Sequence, residues 1–221
     1  MGSDIAFDTP FGSVSGWRAD PMGAPRGALV VVQEIFGVNA HMRAVADRYA
    51  AEGFVALAPA YFDPVERGVE LGYDADGFER GRALIGALGL ERANAITAAA
   101  ANVLQQEGLH VGVVGFCWGG TVALLANQRL GLPAVSYYGA RNVQFLDEPL
   151  RAPMQFHFGE HDASISPADV ELHRRKLPDA EVNVYPAGHA FDREVDPKAF
   201  DAASARLAHT RTLAFFDAAL R

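Results

Sequence analysis

One thiol stands in this chain, Cys117, in the run Val113-Val114-Gly115-Phe116-Cys117-Trp118-Gly119-Gly120. An apolar stretch, then Gly-x-Cys-x-Gly, then a second glycine opening a helix-like segment reads as a strand turning sharply into a helix, with the cysteine at the turn. Glycines beside such a turn remove the Cβ atoms that would collide there. The backbone N–H groups that begin the next helix carry partial positive charge, so they favour a thiolate at Cys117 and can hold an oxyanion. The ordinary role of a lone cysteine is a small buried hydrophobe. A nucleophilic role therefore needs a base and an orienting acid elsewhere in the chain.

Both are found downstream, in the order that this elbow demands, acid before histidine. The strand-like Met154–Phe158 leads into Gly159-Glu160-His161-Asp162, and Val182–Tyr185 leads into Pro186-Ala187-Gly188-His189-Ala190-Phe191. Loops after the carboxyl ends of parallel strands are where such folds place their sites. Asp162 fits the orienter and His189 the general base, while Glu160 and His161 are neighbours with the wrong direction or chemistry. Asp162 has a second reading as the start of an Asx turn before Pro167. Glu34 is also unusual, because it directly follows the apolar run Ala28–Gln33. A carboxylate at the end of a buried strand is costly unless hydrogen-bonded. It is either structural glue to an arginine or part of the site near Cys117. The same loop is where an elbow enzyme takes its second oxyanion N–H, so the backbone N–H groups of Ile35 and Trp118 are the candidate oxyanion hole.

The elements needed to position these groups follow from periodicity. Ile5 to Arg18 reads as two short edge strands around a Thr9-Pro10-Phe11-Gly12 turn. Ala28–Gln33 and Phe54–Ala58 read as buried strands. Asn39 caps a helix whose apolar positions are Met42, Val45, Ala46, Tyr49 and Ala50, ended by Gly53. A loop from Tyr61 to Asp76 precedes helical stretches at about Gly77–Leu88 and Arg92–Gln106. Further strands are Val111–Gly115 and Ala134–Tyr138. Helices are expected at Thr121–Leu130 and Pro167–Leu177, with one or two more across Pro197–Leu220. This alternation predicts an α/β protein of the α/β-hydrolase fold, with a mostly parallel central sheet and helices on both faces, spanning residues 1–221 as one domain.

Composition narrows the function. The net charge of −8 excludes the basic stripe that nucleic acid would need, and no apolar run is long enough for a bilayer. The first residues lack a signal-peptide pattern, and a free thiol suits a reducing compartment, so a cytoplasmic location is expected. A single cysteine excludes a disulfide framework and a Cys-rich zinc site. The chain is read as a monomer, without metal or cofactor.

The segments Gln33-Glu34-Ile35-Phe36-Gly37-Val38-Asn39, Gly115-Phe116-Cys117-Trp118-Gly119-Gly120, Gly159-Glu160-His161-Asp162 and Gly188-His189-Ala190-Phe191 together resemble the motifs of the dienelactone hydrolase (carboxymethylenebutenolidase) family over nearly the whole chain. The resemblance implies a cofactor-free enzyme that opens a carboxylated unsaturated lactone, dienelactone, to maleylacetate in the breakdown of aromatic compounds. It implies Cys117 as nucleophile, His189 as base, Asp162 as its orienter, and Glu34 as the group that engages the resting thiol and helps form the thiolate. It implies Arg193, four residues after His189, as a ligand for the substrate carboxylate, against the alternative of a solvated arginine in Asp192-Arg193-Glu194. For a second such arginine the spacing differs, and Arg80 is taken ahead of Arg82. Trp118 departs from the aliphatic residue usual at that place in the family. The alternatives are a general carboxylesterase or thioesterase of the same fold, and a non-catalytic ligand-binding relative.

Overall fold

A computed structural model describes residues 2–220, which form eight strands and six α-helices. They fall into two compact units, one running to Gly112 and including Leu220, the other Val113–Ala219.

The first unit holds β1 (Ser3–Thr9), β2 (Gly12–Ala19), β3 (Ala28–Val32), α1 (Ala40–Ala51), β4 (Val55–Pro59), α2 (Ala75–Leu88) and α3 (Leu90–Gln106). Its strands lie in the order β1-β2-β4-β3. β1 and β2 form the expected hairpin, with Thr9 opposite Gly12. β2 is not an edge strand, however: it also pairs antiparallel with β4, and Val14, Gly16 and Ala19 are buried. Its mixed polar sequence hid this, because its buried positions do not alternate along the strand. β3 and β4 pair in parallel and are buried at every residue, as their unbroken apolar runs require. In α1 the Asn39 side chain accepts the Met42 N–H, and the five expected apolar positions are buried together with His41. α2 starts two residues before the expected boundary because Asp74 caps it, accepting the Gly77 N–H at 2.8 Å.

The second unit carries β5 (Val111–Phe116) from Val113 onward, then α4 (Trp118–Leu130), β6 (Ala134–Tyr137), a 3₁₀ turn at Asn142–Phe145, β7 (Met154–Gly159), α5 (Pro167–Lys176), β8 (Glu181–Tyr185) and α6 (Ala202–Ala219). Its strands run in the order β5-β6-β7-β8, all parallel. β5, β6 and β7 are buried throughout, while β8 is partly exposed. Ser166 and Asp169 form a capping box at α5, with Pro167 in its first turn. The chain closes with one helix: Asp201 accepts the Ser204 N–H at 2.8 Å, and the stretch from Pro197 to Asp201 stays outside it. No helix among the described residues is long and apolar enough to cross a membrane.

Candidate active site

Cys117 lies between β5 and α4 with φ of 54° and ψ of −116°, a conformation that L-residues rarely adopt. α4 begins at the very next residue, Trp118, not at Thr121 as the spacing suggested. The elbow is held from below by the Cys117 N–H, which donates to the Tyr137 carbonyl at 3.0 Å, and from above by the Gly120 N–H, which donates to the Cys117 carbonyl at 2.9 Å. The glycines are needed for space. A Cβ on Gly115 would stand 1.9 Å from the Gly119 carbonyl oxygen, and one on Gly120 would stand 2.7 Å from that of Tyr137. Cys117 is partly accessible, at the positive end of a 13-residue helix.

The acid and the histidine are brought together by their loops. Past the end of β7, the Glu160 N–H donates to the Tyr185 carbonyl at 2.7 Å, and the His161 N–H donates to the Ala187 carbonyl at 3.0 Å. Gly159 permits this, since a Cβ there would meet the Ala187 and Gly188 carbonyl oxygens at 2.4 and 2.6 Å. Glu160 and His161 are exposed, whereas Asp162 is buried. Asp162 makes two contacts at once. Its Oδ1 accepts the Ser164 N–H at 2.7 Å, closing an Asx turn, and its Oδ2 meets His189 Nδ1 at 2.7 Å. A carboxylate only accepts, so Nδ1 carries the proton and Nε2 is left for Cys117. His189 is hydrogen-bonded to both Asp162 and Cys117. Burial pulls its pKa down, but those two hydrogen bonds and the adjoining negative charges outweigh burial and raise it to about 10. At neutral pH the ring is an imidazolium between two acidic partners.

Sequence reasoning missed the wall behind this histidine. Tyr138, just past β6, has φ of 40°, and its ring lies 5.1 Å from that of His189. Phe191 meets Tyr138 edge-on at 5.4 Å and Tyr185 at 5.2 Å. Among the described residues, the non-glycine residues with positive φ are Cys117, Tyr138 and Ala190. All three stand at carboxyl ends of strands or in the loop after one. The available signal was the doublet Tyr137-Tyr138 before Gly139, where an apolar run stops at a strand's carboxyl end.

The other expected residues are placed as follows. Arg193 is not a solvated arginine: it is only 4% exposed, and its Nη1 donates to Asp196 Oδ2 at 3.2 Å. Trp118 is buried. In the first unit, Glu34 is fully buried at the end of β3, beside Gln33, whose Nε2 donates to the Glu34 carbonyl. Ile35 is buried under α2, which approaches so closely that a Cβ on Gly81 would stand 2.3 Å from the Ile35 carbonyl oxygen. Arg80 lies exposed on α2 and forms an ion pair with Glu66. Arg82 is exposed as well.

A parallel run of strands whose elbow cysteine, following acid and following histidine meet at their carboxyl ends defines the class of α/β-hydrolases. Comparison with known proteins narrows it. Residues 14–220 match the dienelactone hydrolase family. A carboxymethylenebutenolidase of Pseudomonas sp. (strain P51) is 33% identical over 95% of this chain and 92% of its own length. A Synechocystis protein provisionally named carboxymethylenebutenolidase is 34% identical over 80% of this chain and 81% of its own length. A crystal structure from Klebsiella pneumoniae, provisionally named a dienelactone hydrolase, superposes with a TM-score of 0.84 at 28% identity, covering 98% of both chains. The chain belongs to the dienelactone hydrolase family and is a carboxylic ester hydrolase.

Proposed function

We propose that this chain opens a small anionic unsaturated lactone, of the dienelactone kind, through an acyl-thioester on Cys117. The observation that carries the reading is the run of contacts Cys117–His189–Asp162, with His189 Nδ1 2.7 Å from Asp162 Oδ2 and the cysteine held at a strained elbow.

Cys117, with its proton on His189, attacks the lactone carbonyl. The helix-opening N–H of Trp118 faces the developing oxyanion, a contribution of about 3–4 kcal/mol by analogy with other oxyanion holes. The ring C–O bond breaks, and the imidazolium gives its proton to the departing enolate oxygen. His189, now neutral, takes a proton from water as that water attacks the thioester. The C–S bond breaks, the acid product leaves and gives its proton to solvent to become the carboxylate, and the thiolate–imidazolium pair is restored. Asp162 keeps the ring in the tautomer that both proton transfers require. From the family resemblance, Ile35 would supply a second oxyanion N–H, Glu34 would help form the thiolate, and Arg193 and Arg80 would bind the substrate carboxylate.

A second reading has support in the arginines. Arg193 already donates to Asp196 and Arg80 to Glu66, so binding an anionic substrate means exchanging an internal carboxylate for it. That favours a general esterase acting on neutral esters. Hydrolysis of cis- and trans-dienelactone, set beside a panel of neutral p-nitrophenyl esters, separates the two readings. A dienelactone kcat/KM well above that of every neutral ester, lost in Cys117→Ala and with KM raised in Arg193→Ala, supports the lactonase. Equal or better turnover of neutral esters, indifferent to Arg193→Ala, supports the esterase. Full turnover by Cys117→Ala would remove the thioester route from both.

A further inference from the structure

The second unit has a cavity of about 330 Å³ against α6 at the amino ends of β7 and β8, within the ~300–1,000 Å³ range of small-molecule sites. Gln155 is the second residue of β7 and Glu181 the first of β8, whereas Asp162 and His189 follow the opposite ends of the same strands. From Gln155 to Gly159 alone the strand spans roughly 13 Å, so this cavity is not the hydrolytic site.

Its polar groups are Gln155, Glu181 and Arg211, and Phe215, Ala214 and Ala218 give it an apolar side. Gln155 is 1% exposed, and its Nε2 donates to Glu181 Oε2 at 2.7 Å. Because a carboxylate only accepts, that bond fixes which way round the amide lies. Gln155 is among the residues lining the cavity, and its Oε1 atom is a buried acceptor that receives no hydrogen bond. An acceptor buried in that way is costly unless something donates to it. Arg211 offers the opposite chemistry. Its guanidinium carries five N–H donors. Nη1 donates to the Tyr185 hydroxyl at 3.2 Å, and the group lies 5.4 Å over that ring, which leaves it further donors for an incoming acid.

We propose that this cavity binds a small zwitterion with an apolar body, the chemistry of a free apolar amino acid. Its ammonium donates to Gln155 Oε1 beside the Glu181 carboxylate, its carboxylate takes the Arg211 guanidinium, and its hydrocarbon part rests on Phe215 and Ala218. Each polar group of the wall then meets its complement, and the buried acceptor of Gln155 is satisfied.

Isothermal titration of the full chain tests this with four probes: L-phenylalanine, L-leucine, 3-phenylpropionate (which lacks the ammonium) and phenethylamine (which lacks the carboxylate). The expected result is saturable binding of the two amino acids, with both half-probes weaker by about tenfold or more, which is about 1.4 kcal/mol. Ala218→Trp fills the cavity from an exposed helix position and should abolish binding while leaving ester hydrolysis and the circular dichroism spectrum unchanged. Glu181→Gln should weaken the amino acids and phenethylamine but not 3-phenylpropionate. The proposal is overturned if neither amino acid binds, if a half-probe binds as well as they do, or if Ala218→Trp binds them unchanged.

Discussion

At the residue scale, His189 controls the pH behaviour of the chemistry. Its hydrogen bonds to Asp162 and Cys117 lift its pKa to about 10 against the pull of burial. The imidazolium must protonate the departing enolate, so kcat/KM should stay level through neutral pH and fall as pH rises through about 10. Asp162→Asn removes one of the groups that raise the pKa, so the alkaline limb should move to lower pH, along with a loss of rate of several orders of magnitude. A pH–rate series on the two proteins checks this, and a limb at the same pH in both would show that Asp162 does not set it. These three residues were legible in sequence because order, loop position and elbow spacing constrain one another. Arg193 was less legible. Between Asp192 and Glu194 it looks like one of a run of solvated charges, yet both Asp192 and Arg193 are buried, and no local pattern reports a loop that folds inward.

At the element scale, two close approaches make the site. Gly115 lets the first turn of α4 sit on β5, and Gly159 lets the acid loop sit on the histidine loop. Gly115→Ala would drive a Cβ into the backbone of Gly119, which cannot give way without displacing Cys117. We expect a loss of about 3 kcal/mol or more of stability and of nearly all activity. Gly159→Ala should separate Asp162 from His189 and damage activity more than stability. Gly86 is the control. It lies inside α2, and a Cβ there meets nothing within 4 Å, so Gly86→Ala should stabilise by up to about 1 kcal/mol and leave turnover alone. Urea melts beside initial rates rank the three, and a tolerated Gly115→Ala would contradict the packing account of the elbow. The sequence told that glycines flank Cys117 but not how soon the helix begins. Trp118 is a poor start signal by side-chain type, and α4 opens there because its first turn is fixed by contact with β5 and β6 and not by a capping side chain. The position of β2 was hidden for a related reason, since pairing on both sides leaves no mark in the pattern of its side chains.

At the scale of the whole molecule, buried and half-buried histidines bound the pH range of stability from opposite sides. His157 is fully buried in β7, with Nδ1 2.8 Å from the Tyr185 hydroxyl and Nε2 3.0 Å from Thr212 Oγ1, itself 2.7 Å from the Tyr137 hydroxyl. Burial, aided by the positive charge of Arg211, lowers its pKa to about 3. His173 is lowered too, by burial that the Asp169 carbonyl and charge only partly offset. As pH falls below ~6.5 the unfolded chain takes up protons at these positions more readily than the folded chain, so stability declines, by about 1.4 kcal/mol per pH unit for His157. His189 works the other way. The folded chain keeps its proton up to about 10 while the unfolded chain releases it near ~6.5, so its contribution is complete below that pH and is lost as pH rises through about 10. Stability should therefore peak close to pH 6.5. The two limbs should also be separable: His157→Gln lessens the acid slope, leaving the share of His173, and leaves the alkaline slope alone, whereas His189→Gln lessens the alkaline slope only. Urea midpoints at pH 5, 6.5 and 9 for the three proteins decide it. An acid slope unchanged in His157→Gln would assign that limb to His173, because Glu107 and Glu148, whose pKa values hydrogen bonds to Arg18 and Arg129 hold down, lose their contribution only below ~4.3.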